Sequence, residues 1–227
     1  MTVSPTSDDA VLVVPVFNEA AVIAEVVTAA RAAFAVVVCV DDGSTDGSAA
    51  LAQAAGATVV RHPFNLGQGA ALQTGVRYVL DATPAAYLVT FDADGQHQVA
   101  DAVAMARHAR QHELAVVFGS RFLDDRTRPG GLRRLLLKSA VWLTNQQTGM
   151  RLSDAHNGLR VIRRDAAMRL DLRANRMAHA TEIVLQLGRT RLPWQEYPVH
   201  VLYTDYSRAK GQSLMNAVNV LLDSILK

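Results

Sequence analysis

Residues 85–98 read AAYLVTFDADGQHQ, an apolar stretch that runs straight into two aspartates one residue apart, then a glycine, a glutamine and a histidine. In a strand, side chains two residues apart point to the same side. Asp92 and Asp94 therefore address one place and repel each other. Either a positive charge sits between them, or one of them keeps its proton. A divalent cation meets the first condition, because hard ions such as Mg2+ take oxygen ligands, often one or two protein carboxylates together with substrate phosphates. A metal held by Asp92 and Asp94, with Gln96 adding a neutral oxygen, would bridge a diphosphate and stabilise charge on a departing phosphate. A cap for a helix starting near Val99 is the plain alternative; it accounts for Asp94 and leaves Asp92 without a role.

Such a pair needs a rigid edge. VLVVPV (11–16), AVVVCV (35–40), ATVVRH (57–62), AAYLVTF (85–91) and LAVVFGS (114–120) read as strands. The stretches between them read as helices: 18–34, one opening at STDGS with Ser44 or Thr45 as N-cap and stopping at Gly56, one opening at NLGQG, and 98–111. Near-continuous apolar strands alternating with helices predict an α/β fold, a mostly parallel central sheet flanked by helices in a single domain. Open parallel sheets bind ligands beyond the carboxyl ends of their strands. Polar clusters fall at three such ends, PVFNE (15–19), DDGSTD (41–46) and DADGQ (92–96). Any one of them is an ordinary turn; together they predict one crevice.

Beyond Gly119 the pattern changes to a polar loop, SRFLDDRTRPGGLRR, a helix at about 132–147, a short SDAHNGLRVIRR region and a helix over 178–189. WQEYPVHVLY reads as a strand that Pro198 confines to an edge or bulge. After the loop YTDYSRAKGQS, Leu214, Val218, Leu221, Leu222 and Ile225 line one face of a closing amphipathic helix. That face is expected to pack on its own core, with docking on a bilayer or a small membrane protein as the functional alternative. Residues 1–10 read as a disordered tail and 206–227 as a C-terminal loop and helix.

With 227 residues, half of them hydrophobic, the chain has ample material for a core. The longest wholly apolar run, AAFAVVVCV, falls far short of the ~20 residues a membrane span needs. Cys39 is the single cysteine, so no disulfide framework exists, and its place in an apolar run marks it as a small buried hydrophobe. A chain without disulfides fits a reducing cytoplasm. Charge is segregated: residues 1–120 carry 5 Lys/Arg against 12 Asp/Glu, and residues 121–227 carry 18 against 9. The acidic half suits a metal, and the basic half an anionic partner such as a phosphate or a lipid surface.

PVFNE, DDGSTDGS, NLGQGAALQTG, DADGQH and GSRF, in this order, resemble the family 2 glycosyltransferases of the GT-A fold over about residues 11–205. DADGQH, GSRF, LRRLLLKSAVWLTN and HNGLRVIRR are most similar to the dolichyl- or polyprenyl-phosphate sugar transferases. The resemblance implies a UDP- or GDP-sugar donor, Mg2+ or Mn2+, inversion at the anomeric carbon, a polyprenyl phosphate acceptor and a peripheral place on the cytoplasmic face of a membrane. It implies no nucleic-acid partner. By the same resemblance Pro15, Phe17 and Glu19 line the nucleoside pocket, and Asp41 or Asp42 contacts base or ribose. Asp92 and Asp94, with Gln96 beside them, hold metal and diphosphate. Arg121 and a cation of the following helix, Arg134 or Lys138, meet the acceptor phosphate. Departures are Lys138, where arginine is common, and Gln68, where related chains carry lysine. RAKGQS matches an Arg-x-x-Gly-x-Ser pattern loosely, through Arg208, Gly211 and Ser213.

The chemistry accords with that acceptor. A hydroxyl must lose a proton as it attacks and needs a positioned base. A phosphate monoester, with a second pKa of about 6, is already mostly dianionic and needs only cations. Arg126, Arg128, Arg133, Arg134 and Lys138 supply them, although a solvated loop explains Arg126 and Arg128 equally well. Glu182 is the rival catalytic residue, a base for a hydroxyl acceptor, against a structural role at the 178–189 helix. His97 is beside the metal pair, with solvent exposure as its plain explanation. His156 and Asn157 precede Gly158 at a turn, and a surface pairing with Glu182 explains His179. A non-catalytic sugar-nucleotide-binding subunit is the reading that loss of Asp92 or Asp94 would favour, and both are present. A nucleotidyltransferase would need a Gly-rich basic loop after the first strand, where PVFNE stands instead.

Overall fold

A computed structural model describes residues 7–124, 141–142, 144–174 and 178–202. Strands β1 (Ser7–Val16), β2 (Phe34–Asp41), β3 (Thr58–Arg61), β4 (Tyr87–Thr90), β5 (Val116–Ser120), β6 (Arg160–Arg163) and β7 (Trp194–Pro198) form one sheet in the order β3-β2-β1-β4-β6-β5-β7. All pairings are parallel except those of β6, which runs antiparallel between β4 and β5. The helices are α1 (Ile23–Arg31), α2 (Ser48–Ala54), α3 (Gln68–Ala82), α4 (Val99–Gln111), α5 (Arg164–Ala167) and α6 (Ala178–Arg189).

The two-residue period of the strands divides the core. Leu12, Val14 and Val16 of β1, with Val37 and Cys39 of β2, pack against Ile23, Val27 and Met105 of α1 and α4. Val11, Val13, Val38 and Val40 point the other way, onto Leu72 and Val76 of α3 and Ile183 and Val184 of α6. Contact with α3 is close enough that a Cβ on Gly75 would lie 2.3 Å from Val13 Cγ1. Arg164 closes the far end of α3 by donating to the carbonyls of Leu80, Thr83 and Ala85, a cation set at the negative end of a helix. Cys39 is buried, and burial pushes its thiol up to about 12, so it behaves as the hydrophobe its setting predicts.

Several expectations are corrected. The chain is already a strand at Ser7, where a tail was expected to run to residue 10; Asp9 pairs with Arg110 at 2.9 Å, and Ala10 is buried beside Tyr87. Helix α1 starts at Ile23, not at Asn18, because residues 17–20 are tied to the loop after β2. Neither Ser44 nor Thr45 caps α2, which opens at Gly47 with φ 89°. RVIR, read only as part of a short region, is a central strand. Pro198 ends the edge strand β7, as expected. The helix expected over 132–147 falls largely outside the described residues, and the C-terminal loop and helix wholly so.

Candidate active site

β2, β1 and β4 are neighbours, so the polar clusters after them meet at one edge of the sheet. The first two are stitched together. Asn18 N–H donates to Ser44 Oγ at 2.9 Å, Glu19 N–H to Ser48 Oγ at 2.7 Å, and Thr45 N–H to Asn18 Oδ1 at 3.0 Å. Asn18 takes a left-handed φ of 53°, which asparagine tolerates. Ser44 and Thr45 thus serve the partner loop, which is why they do not cap α2.

Asp41 and Asp42 are both buried, with different partners. Asp41 accepts from Arg61 Nε at 3.2 Å. Asp42 organises a loop: it pairs with His62 Nδ1 at 2.7 Å and accepts the N–H groups of Leu66 and Gly67 at 2.9 and 2.8 Å. His62 also reaches Thr74 Oγ1 of α3 at 2.9 Å. Residues 62–67 are thereby fixed at the start of α3. A Cβ at Gly43, whose φ is 76°, would strike the Phe64 backbone at 2.7 Å, so the two loops lie in contact. Pro15 is buried, Glu19 is buried beside the sheet edge, and Phe17 is 42% exposed at its mouth.

The third cluster holds Asp92 and Asp94. Asp92 Oδ1 accepts from Gln68 Nε2 at 3.3 Å, and Oδ2 from His97 Nε2 at 2.9 Å. Burial pushes the Asp92 carboxyl up, but the His97 hydrogen bond, then the charges of Arg160 and His179, outweigh it and hold it below the usual carboxylate range. Asp94 has no such support. Burial first, then the negative charges of Asp92 and Glu19, push it up to about 6, against one hydrogen bond from the Gln96 N–H at 3.0 Å. One carboxyl is held ionised well into acid, and its neighbour gives up its proton only near pH 6. Helix α4 starts at Val99 with no side-chain cap, so Asp94 is not a capping residue.

The acidic pair fits a divalent cation shared with a substrate. Among the described residues no three His, Cys, Asp or Glu side chains group as a complete cage. Asp92 and Asp94 would therefore hold such an ion together with phosphate oxygens and water, as hard cations are held beside nucleotides. Gln96 is buried behind the pair; its backbone N–H serves Asp94, and its carbonyl accepts from Leu202 N–H at 2.9 Å.

On the other flank, Arg121 follows β5. Its Nε and Nη2 donate to Asp154 Oδ2 and Oδ1 at 2.6 and 2.8 Å, and its N–H to Oδ2 at 3.1 Å. Both side chains are buried, and Arg121 outweighs the desolvation of Asp154 to hold that carboxyl low. Glu196 of β7 fastens the same turn, accepting from Ser153 N–H at 2.8 Å and Asp154 N–H at 3.1 Å. Arg121 is thus locked by a carboxylate along one edge of its fork. Arg126, Arg128, Arg133, Arg134, Lys138, Arg208, Gly211 and Ser213 lie outside the described residues.

Glu182 accepts the N–H groups of Arg173 and Ala174 on Oε2 at 3.0 and 2.8 Å, anchoring the segment ahead of α6. His179 is buried among the charges around Asp92, so a surface pairing does not describe it. Nor does His97 face solvent: its side chain is 4% exposed, set edge-on to Phe91 at 5.5 Å between centroids. His156 is packed at the turn before β6, where burial lowers it to about 4 and leaves it a neutral imidazole at pH 7. Sequence reading missed His62, Asp154, Arg160 and Glu196. For Arg160 the available signal was a base standing alone inside the apolar run GLRVI.

Residues 11–171 match the family described as glycosyl transferase family 2. Uncharacterized protein MJ1222 of Methanocaldococcus jannaschii is 29% identical over 97% of this chain and 92% of its own length. The UDP-N-acetylglucosamine–dolichyl-phosphate N-acetylglucosaminyltransferase of Methanococcus voltae is 31% identical over 69% of this chain, a match that spans 63% of that relative. Among solved structures, glucosyl-3-phosphoglycerate synthase of Mycobacterium tuberculosis, in complex with Mn2+, UDP and glucosyl-3-phosphoglycerate, superposes with a TM-score of 0.65 at 18% identity, covering 96% of this chain and 80% of that one. This likeness establishes a shared GT-A fold.

Proposed function

The chain belongs to glycosyl transferase family 2 and is a glycosyltransferase of the GT-A fold, and we propose that it transfers a hexosyl unit from a UDP- or GDP-sugar to a polyprenyl, dolichyl-type phosphate with inversion. One observation carries the choice of acceptor. Glu182, the carboxylate that a hydroxyl acceptor would need as its base, is engaged through Oε2 with two backbone N–H groups. A phosphate needs no base. The dolichyl-phosphate acceptor in the name of the Methanococcus voltae relative supports the same reading.

In this reading Pro15, Phe17 and Glu19 shape the nucleoside pocket, with Asp41 and Asp42 fixing its walls. Asp92 and Asp94 address the donor diphosphate, and a divalent cation bound there, Mg2+ or Mn2+, would neutralise the departing nucleotide diphosphate. The Mn2+ and UDP of the mycobacterial complex support that part. No side chain caps the start of α3, and Gln68 there reaches Asp92, so the positive end of this helix would add to the hold on the donor diphosphate. Arg121, with Arg134 and Lys138 as the resemblance implies, would bind the acceptor phosphate, whose oxygen attacks the anomeric carbon in line. No helix among the described residues is long and apolar enough to cross a membrane. We place the chain peripherally on the cytoplasmic face, where a small membrane protein is an admissible partner.

The test is transfer of radiolabelled sugar into an organic-soluble lipid, from a panel of UDP- and GDP-sugars with Mg2+ or Mn2+ and a short polyprenyl phosphate. A mild-acid-labile, metal-dependent lipid product is expected. Transfer to a hydroxyl acceptor that Glu182→Gln abolishes, with no lipid product, would replace this reading with the Glu182-base alternative. Nucleotide-sugar binding with no transfer to any acceptor would favour a non-catalytic subunit.

A further inference from the structure

We propose that Arg160 is a positioning residue shared by the two halves of the site, one buried cation that steadies Asp92 on the donor side and Asp154 on the acceptor side. The inference rests on the reading of Asp92 and Asp94 as the metal and donor pair. It follows from the one antiparallel strand among the described residues. Because β6 runs against its neighbours, its first residue enters at the carboxyl ends of β4 and β5. Arg160 is in register with Thr90 and with Phe118. Thr90 precedes Asp92 by two residues, and Phe118 precedes Arg121 by three. The start of β6 therefore stands between the two polar flanks.

The turn leading into it touches both. At one end Asp154 grips Arg121 through two side-chain bonds. In the middle, Gly158 lies so close beneath Asp92 that a Cβ there would come within 2.2 Å of Oδ2, and its carbonyl accepts from Thr90 Oγ1 at 2.6 Å. At the other end Arg160 is 2% exposed; Nη2 reaches the Ala155 carbonyl at 3.4 Å, and Nε finds no hydrogen-bond acceptor. An arginine this buried and this thinly hydrogen-bonded needs nearby negative charge. Burial lowers it to about 10, and the charges that hold it up are those of Asp92 and Asp154. It remains a cation at neutral pH, answering to both carboxylates.

The test uses Arg160→Met, which keeps most of the stem without the charge, and Arg160→Lys, which keeps the charge. Binding of Mn2+ in the presence of UDP, and separately of GDP, is read from the electron paramagnetic resonance of free Mn2+, alongside thermal melting. Arg160→Met is expected to weaken Mn2+ binding about tenfold, and Arg160→Lys to stay within about threefold of wild type. A residue that only fills space would leave binding unmoved in a folded Arg160→Met protein, and that result, with Asp94→Ala losing Mn2+ as expected, overturns the proposal alone. Undiminished binding in Asp94→Ala would instead sink the reading of the pair, and this inference with it. Where Arg160→Met alone does not fold, Asp154→Asn/Arg160→Met removes the stranded charge, and it should bind Mn2+ about tenfold more weakly than Asp154→Asn; equal binding overturns the proposal. Sharing also requires that the melting shifts of Asp154→Asn and Arg160→Met fail to add, and simple additivity would refute it.

Discussion

Asp92 and Asp94 carry the same side chain two residues apart, yet only Asp92 has donors on both oxygens. That asymmetry sets a pH dependence. The Asp94 pKa is raised, so its ionised form is the disfavoured one, and it costs the metal-free fold stability as pH rises through the ordinary carboxylate value of about 3.9 towards about 6. A cation at the pair must displace that proton below about pH 6 and finds it gone above. The stabilisation of the protein by Mn2+ with nucleotide is therefore expected to be full at pH 7 and to decline at pH 5, measured as a melting shift; a pH-independent shift would remove Asp94 from the site. His97→Ala takes a donor from Asp92 and should weaken Mn2+ binding about 10–100-fold, with His97→Asn intermediate. The Arg121–Asp154 pair obeys the opposite sign. Asp154 is held below its ordinary value, so the stability it contributes is present above that value and is lost as pH falls through the folded pKa. Arg121→Met strands a buried carboxylate and should cost about 3–5 kcal/mol in denaturant unfolding, beyond any loss of acceptor use.

Elements were legible in the sequence wherever one local signal sufficed. β1, β2 and β5 are built on the apolar runs VLVVPV, AVVVCV and VVF, and α3 and α4 open after glycines and polar turns. β6 escaped because RVIR has arginine at both ends, and its burial comes from β4 and β5, which lie some 40–75 residues earlier in the chain. The site divides along the same line. DADGQH carries both carboxylates and His97, the strongest hold on Asp92, but the charges of Arg160 and His179 that add to it are delivered by other elements. One contact between elements is testable. A Cβ on Gly69, in the first turn of α3, would meet the Ala174 carbonyl at 2.2 Å, in the segment that Glu182 anchors. Gly69→Ala should push α3 off that segment, at about 1–3 kcal/mol of stability, and should also weaken nucleotide binding because Gln68 moves with the helix. Loss of stability with nucleotide affinity unchanged would separate the start of α3 from the donor.

At the scale of the molecule, the proposed reading assigns the donor and acceptor roles to the two halves of the chain. The acidic first 120 residues supply Asp41, Asp42, Asp92 and Asp94, and the basic remainder supplies Arg121 and the Arg/Lys series from 126 to 138. Opposite net charge in the two halves of the sequence suits a reaction between two anions, because in the proposed reading the donor needs a cation recruited by carboxylates and the acceptor needs fixed cations of its own. The same asymmetry gives the basic half a second use. If the acceptor is a lipid phosphate, as proposed, the same positive charge would also draw the protein to an anionic bilayer, at about 1 kcal/mol per Lys or Arg near the surface, an attraction that salt screens within a Debye length. The expected outcome in a flotation assay is binding to vesicles rich in anionic lipid at low salt, release at about 1 M salt, and weak binding to neutral vesicles. Reversing Arg133 and Arg134 to glutamate should lower vesicle binding while leaving Mn2+–nucleotide binding intact, because the donor half has its own charges. Vesicle binding that ignores salt would shift the attachment to the apolar face over 214–225, and a loss of nucleotide affinity in the reversed variant would show that the two halves are not separate.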